Sequence, residues 1–369
     1  MAAGPLLVEG LEDPRSPPSA RYFMRAAIYH AFGGPIEIRD VPDPELLPDS
    51  VVVRIEATGV CRSDYHGWLG HDPTITLPHV PGHELAGVIE EIGGEVDGWQ
   101  VGQRVTVPFV AGCGTCPQCL SGNQQVCDRQ EQPGFTLWGS FAERVLIRYA
   151  AGNLVALPDE VDSATAASLG CRFTTAWRAV VVQGRARPGE WVAVHGCGGV
   201  GLSAVMIASG MGARVVAIDV QRPALDLARE VGAEVVIDAS ESSDVVAAIE
   251  QHTDGGADLS LDALGSATTC GNSIACLRKR GRHVQVGIMV ADEREHPVPM
   301  DRVIARELEI KGSHGMQAHG FAPLLALIVR GMIDPARLIK QRVNLVEGVN
   351  VLTRMGEDHH SGITVIDNF

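Results

Sequence analysis

Trp191-Val-Ala-Val194, then His195-Gly-Cys-Gly-Gly-Val-Gly201, then Leu202 to Met211 is the stretch that decides how the second half of this chain folds. It reads as an apolar strand, a turn with glycine at 196, 198 and 201, and a helical stretch. Glycine lets the backbone approach a pyrophosphate closely, and a helix N-terminus offers its free N–H groups to the anion. The spacing is weak evidence alone, but at a strand-to-helix junction it marks a dinucleotide site, with a merely tight turn as the competing reading. Gly196, Gly198, Gly199, Val200 and Gly201 are the candidate contacts. The next strand ends at Asp219, 18 positions past Gly201. A carboxylate there can accept hydrogen bonds from the adenosine ribose and would repel a 2'-phosphate. NAD is therefore favoured over NADP, with Arg222 close enough in sequence to leave some tolerance for the phosphate.

Working outward, Val215–Ile218, Val235–Ile237, Leu259–Leu261 and His283–Val286 read as further strands, most of them separated by helical stretches. That alternation predicts a doubly wound parallel sheet over residues 173–311. Upstream, over 25–172, short β-rich pieces such as Ala26–Tyr29 and Val51–Ile55 are broken by Pro and Gly, and predict a barrel-like or sandwich-like unit. Residues 312–369 are too few for a typical domain and are expected to return to that unit. Residues 1–24 contain the Pro- and Ser-rich stretch Leu11–Ser19 and are read as a mobile extension.

The 369 residues are 45% hydrophobic and 20% charged, enough apolar content for packed cores. Net charge is −15 and no basic stripe is present, which argues against nucleic acid or an anionic membrane surface as partner. No apolar run reaches the roughly 18 residues of a membrane span, and no secretion signal opens the chain, so a soluble cytoplasmic location is expected. Small molecules are the expected partners.

Nine cysteines in such a chain point to reduced thiols and metal ligands. Cys113-Gly-Thr-Cys116-Pro-Gln-Cys119, completed by Cys127, places four thiolates in one short loop, suited to a closed structural zinc site. A second set is dispersed: Cys61 in Gly59-Val-Cys-Arg-Ser-Asp64, His83 and Glu84 in Pro81-Gly-His-Glu84, and Cys171 in Leu169-Gly-Cys-Arg-Phe-Thr-Thr175. Each alone reads as an ordinary core residue.

Together with the four-Cys loop, these motifs make residues 25–369 resemble the zinc-dependent alcohol dehydrogenases of the medium-chain dehydrogenase/reductase superfamily. The resemblance implies an α/β chain with a GroES-like β-rich catalytic domain and a Rossmann domain. It implies that Cys61, His83 and Cys171 hold a catalytic zinc, that Glu84 is the neighbouring carboxylate able to approach the metal, and that Asp64 orients the ligand His. With the Cys113–Cys127 site, two zinc ions per chain are expected. Thr175, Val286 and Gly287 resemble positions around the nicotinamide ring, and Arg62 one that contacts the pyrophosphate. Two departures bear on cofactor affinity: Ala224 stands where several relatives carry Lys, and Ile363 where many carry Arg.

The function implied is reversible oxidation of primary or secondary, aliphatic or aromatic alcohols to aldehydes or ketones, with hydride passing to NAD. Ser63 resembles the hydroxyl that bonds the reacting oxygen, and His66 the far end of a proton relay, where the plain alternative is a surface His. Trp68, Phe109 and Trp138 lie near positions that line the substrate cleft, or are core aromatics. Cys197, in the Gly-rich turn, is a possible site for thiol reagents. The short Cys127–Ser140 segment resembles that of compact bacterial and yeast-type enzymes, so a homo-oligomer is expected, a tetramer over a dimer. The rivals are a polyol or amino-alcohol dehydrogenase, many of which have Glu where this chain has Cys171, and a catalytically silent NAD- or zinc-binding relative, which commonly lacks the ligands. A zinc-finger-like adaptor would leave the Gly-rich turn unexplained.

Overall fold

The structure is a computed structural model that describes residues 23–289, 297–357 and 361–369. The N-terminal half is built from short strands: β1 (Phe23–Tyr29), β2 (Ile36–Pro42), β3 (Val51–Val60), β4 (Leu85–Ile92), β5 (Arg104–Thr106), β6 (Arg144–Ile147) and β7 (Val155–Ala156). The mobile extension read from sequence falls at residues 1–22 outside the described residues. Its last two positions, Phe23 and Met24, instead open β1, where Met24 buries its side chain. β1 and β2 form an antiparallel hairpin. β3 is the spine of the larger sheet: it pairs antiparallel with both β4 and β6, while β5 bridges β4 to β7.

The second half contributes β8 (Trp191–His195), β9 (Arg214–Asp219), β10 (Val235–Asp238), β11 (Ala257–Asp262), β12 (Leu277–Gln285) and β13 (Glu309–Gly312). All pair in parallel, in the order β10-β9-β8-β11-β12-β13. Numbered along the chain this is 3-2-1-4-5-6, the doubly wound arrangement whose crevice opens where the order reverses, between β8 and β11. Every residue of β8 is buried, as a central strand covered on both faces requires.

Three details differ from the sequence reading. The helix after the Gly-rich turn runs Gly199–Gly210, three residues earlier than expected, because Gly198 caps it in extended conformation and the turn closes directly into helix. β12 starts at Leu277 and ends at Gln285, leaving Val286 just outside it. β13 was not anticipated: as an edge strand with one neighbour it carries Glu309 and Lys311 rather than an apolar run.

β14 (Ile339–Asn344) and β15 (Ile363–Asn368) complete the chain. β15 pairs antiparallel with the end of β3, Thr364 opposite Val60 and Val365 opposite Gly59, and so stands beside the segment leading to Cys61. One core spans both sheets, from Ala57 and Ala86 through Leu169, Phe173 and Trp177 to Val192, Val194 and Leu259.

Candidate metal centre and nucleotide crevice

Three separated segments meet beside the end of β3. Cys61 precedes the short helix Arg62–Trp68, His83 and Glu84 lead into β4, and Cys171 sits in a π-helical turn, Leu169–Phe173. Such wide turns recur at functional sites. One ligand-type atom from each of Cys61, His83, Glu84 and Cys171 lies within 4.8 Å of the others.

Asp64 organises the set. Its Oδ1 accepts from His83 Nδ1 at 2.8 Å and from the Gly82 backbone N–H at 3.0 Å, and its Oδ2 from the Cys61 N–H at 3.1 Å. With Nδ1 held as donor, the neutral imidazole presents Nε2 as an acceptor, and that atom is buried without a protein partner. An orphaned, buried nitrogen beside two free thiols is the donor chemistry of a zinc site with an oriented outer carboxylate. Burial alone would depress the His83 pKa, yet the Asp64 charge and hydrogen bond, with Cys61, hold it well above the usual range, so a metal bound at Nε2 takes the place of a proton there. Hydrogen bonding with Cys171 and the nearby Arg172 bring the Cys61 thiol well below its ordinary value, while Cys171 is raised by the same bond and by burial. The centre thus carries anionic character that suits a cation.

Glu84 stands beside the ligand atoms and has a partner that the sequence did not suggest. Its Oε1 accepts from the Arg172 N–H at 3.0 Å and from Nε at 2.9 Å, while Oε2 accepts from Nη2. Both partners are buried. Sequence reading missed Arg172 although it adjoins Cys171, because its partner lies 88 residues away.

The second cluster is local. Cys113, Cys116, Cys119 and Cys127 bring their sulfurs within 4.8 Å of one another. Cys116 and Cys127 sulfurs lie 3.7 Å apart, and those of Cys113 and Cys119 4.0 Å. Disulfides need about 2.05 Å, whereas the edges of a tetrahedron with 2.3 Å zinc–sulfur arms are about 3.8 Å. Backbone N–H groups of Cys113 and Arg129 point at the Cys127 sulfur, and that of Cys119 at Cys116. Desolvation pushes the Cys113 thiol up, but hydrogen bonds from Thr115 and the Cys116 N–H bring it down to about 5, favouring the thiolate.

Ser63 and His66 share the helix Arg62–Trp68, Ser63 partly exposed. His66 Nδ1 lies 3.0 Å from His71 Nδ1, a partner the sequence did not suggest. Burial, then His71 and Arg62, lower the His66 pKa. Arg62 is exposed and donates to the Met355 carbonyl at 3.4 Å. Among the aromatic residues, Phe109 stands edge-on to His83 at 6.3 Å between ring centres, and Phe135, unmarked by any motif, approaches to 5.3 Å. The indoles of Trp68 and Trp138 donate instead to the carbonyls of Gly34 and Pro78.

In the crevice, Gly196 adopts φ +91°, and a Cβ on Gly201 would collide with the Gly196 carbonyl, so both positions require glycine. Val200 packs on the core behind the turn. Asp219 braces the turn: its Oδ2 accepts from the Cys197 N–H at 2.6 Å and its Oδ1 from the Gln221 N–H at 2.8 Å. Cys197 is buried, and burial with the Asp219 charge raises its thiol pKa, which removes it as the expected site for thiol reagents. Arg222 pairs with Asp226, and Ala224 is buried against the core. Ile363 is also buried. Thr175 is buried in the helix Thr174–Trp177, and the N–H groups of Val286 and Gly287 both donate to the Asp262 carbonyl.

Beneath the crevice runs a buried polar chain. His195 Nε2 lies 3.7 Å from Cys276 Sγ, which reaches Ser260; Ser260 and Ser273 hydroxyls are 2.6 Å apart, and Ser273 bonds His283 Nδ1 at 2.9 Å. His283 Nε2 meets Gln285, whose amide donates to Asp262 and to the Gly287 carbonyl. Burial lowers both His195 and His283 to about 4, so both are neutral at physiological pH.

Among the described residues no helix is long and apolar enough to cross a membrane. Residues 47–159 match the family described as alcohol dehydrogenase GroES-like domain, and residues 199–330 that described as zinc-binding dehydrogenase. An alcohol dehydrogenase of Geobacillus stearothermophilus is 32% identical over 345 residues, covering 93% of this chain and 98% of that protein. The alcohol dehydrogenase TADH from Thermus sp. ATN1 superposes with a TM-score of 0.86 at 29% identity, covering 94% of this chain and 100% of that one. A zinc-binding dehydrogenase from Sinorhizobium meliloti 1021, solved bound to NADP, gives 0.83 at 27% identity over 94% and 100%.

Proposed function

Because the chain belongs to the zinc-type alcohol dehydrogenases of the medium-chain dehydrogenase/reductase superfamily, we propose that it interconverts monoalcohols with aldehydes or ketones, using NAD. The observation that carries this reading is the buried, unpartnered Nε2 of His83 between the thiols of Cys61 and Cys171. Those three residues would hold the catalytic zinc, and the four-Cys loop a structural one.

A zinc ion held there would supply a Lewis acid for the alcohol or carbonyl oxygen, and a bound nicotinamide would supply the hydride acceptor or donor. The chain supplies the rest. Asp64 fixes the His83 tautomer and ring plane, a task that outer partners of metal ligands commonly perform. Phe109 and Phe135 flank His83 with apolar rings, which exclude water and favour a substrate with one hydroxyl over a polyol. Ser63 hands the alcohol proton outward, and His66, paired with His71, passes it to solvent. Asp219 supports NAD over NADP, since its carboxylate would face a 2'-phosphate with like charge.

The test is NADH or NADPH formation by zinc-replete protein with short primary, secondary and benzylic alcohols and with polyols. Turnover of monoalcohols with NAD is expected. Inactivity towards every alcohol despite two bound zinc ions would favour a silent relative, and preference for polyols or NADP would overturn the corresponding part.

A further inference from the structure

We propose that Arg172 is a positioning residue that clamps Glu84 away from the metal centre and thereby keeps the exchangeable coordination position open to substrate. The inference deepens the function proposed above and rests on Cys61, His83 and Cys171 being metal ligands.

A carboxylate oxygen of Glu84 lies within 4.8 Å of the ligand atoms of Cys61, His83 and Cys171, close enough to compete for a metal held there. A buried carboxylate needs a cation or several donors. Arg172 provides both, with its backbone N–H, Nε and Nη2 all directed at Glu84. The paired geometry of a guanidinium on a carboxylate fixes orientation as well as charge. Without Arg172, a metal held by Cys61, His83 and Cys171 would be a strong positive charge within reach of Glu84.

Two glycines make room for the clamp. A Cβ on Gly59 would collide with the Glu84 carboxylate and come within 2.9 Å of Arg172 Nη2. A Cβ on Gly199, the first residue of the helix after the nucleotide turn, would collide with Arg172 Cδ. Arg172 therefore lies wedged between the metal centre and the crevice turn.

The experiment uses the full-length holoenzyme with cobalt(II) in the Cys61 site, whose visible absorption reports coordination, titrated with imidazole as a small metal-binding probe. In the parent chain, imidazole should change the spectrum. Arg172→Gln should alter the spectrum before any addition and weaken imidazole binding by about tenfold or more, the scale typical of lost outer-sphere partners. Adding Glu84→Gln to that variant removes the competing carboxylate and should restore the imidazole response, which a merely structural role would not predict. Gly199→Ala pushes on Arg172 from the other side with all ligands and Glu84 intact, and should reproduce the spectral change.

A parent-like response in Arg172→Gln, a loss that Glu84→Gln does not reverse, or a parent-like Gly199→Ala spectrum would overturn the clamp. Metal content separates the two levels. A parent chain that binds only one metal sinks the reading of the Cys61 site, whereas two metals with an unaltered imidazole response sink Arg172 alone.

Discussion

Asp64 spends both carboxylate oxygens on the geometry of its neighbours, so it can be changed without removing any ligand atom. Asp64→Asn should weaken metal binding at the Cys61 site by about 10- to 100-fold, as loss of such partners does, while the four-Cys loop keeps its ion. Metal content after dialysis against a weak chelator reads this directly, and two ions retained per chain would contradict it. The His66–His71 pair makes a pH prediction. His66 must be neutral to accept a proton, and burial, His71 and Arg62 lower its pKa, which keeps it neutral into more acid solution. His66→Ala should slow turnover most at low pH, where solvent base is scarce, with metal content unchanged. His71→Ala removes one source of the depression, so the acid limb of the kcat/KM profile should move to higher pH; an unmoved limb takes His71 out of the relay. At this scale the sequence exposed residues that announce themselves by spacing, such as Cys113 to Cys127 and Gly196 to Gly201. It concealed those defined by a distant partner: Arg172 on Glu84, Phe135 on His83, and Cys197, whose burial depends on the sheet beneath it.

The strands beneath the crevice carry their own titration behaviour. His195 on β8 and His283 on β12 have pKa values near 4 in the folded chain, against about 6.5 when unfolded. Between those limits the unfolded chain binds two protons that the native chain does not, so stability falls as pH falls from about 6.5 towards 4. The slope is at most about 2.7 kcal/mol per pH unit for the two residues. Urea midpoints at pH 7 and pH 5 should show the loss, and His283→Gln should make it shallower; equal midpoints in the parent would refute the neutral pair. Apolar strands such as β8 and β9 could be read from sequence because both faces are covered. β13 could not, since its edge position tolerates charge, and the early start of the Gly199 helix was hidden by glycines that usually mark a turn.

Across the whole molecule, the alternation of strand and helix announced the doubly wound sheet. The return of residues 312–369 to the first unit was expected from their number, but no local pattern announced that β15 pairs with β3, because that pairing joins residues some 300 positions apart. The return has an energetic consequence. Ile366, fully buried and paired with Thr58, stabilises the strand that leads to Cys61. Ile366→Ala should cost about 2–5 kcal/mol, as core truncations do, and metal at the Cys61 site should escape to a chelator at correspondingly lower urea. Metal loss at the parental urea concentration would mean that β15 does not support the centre. The two ligand sets also differ in how much chain they need. Cys113 to Cys127 span 15 residues, whereas Cys61, His83 and Cys171 span 111 and lean on β15, which follows them far along the chain. During synthesis, the loop can capture its ion before β15 has been made, and the other site must wait for that strand to leave the ribosome.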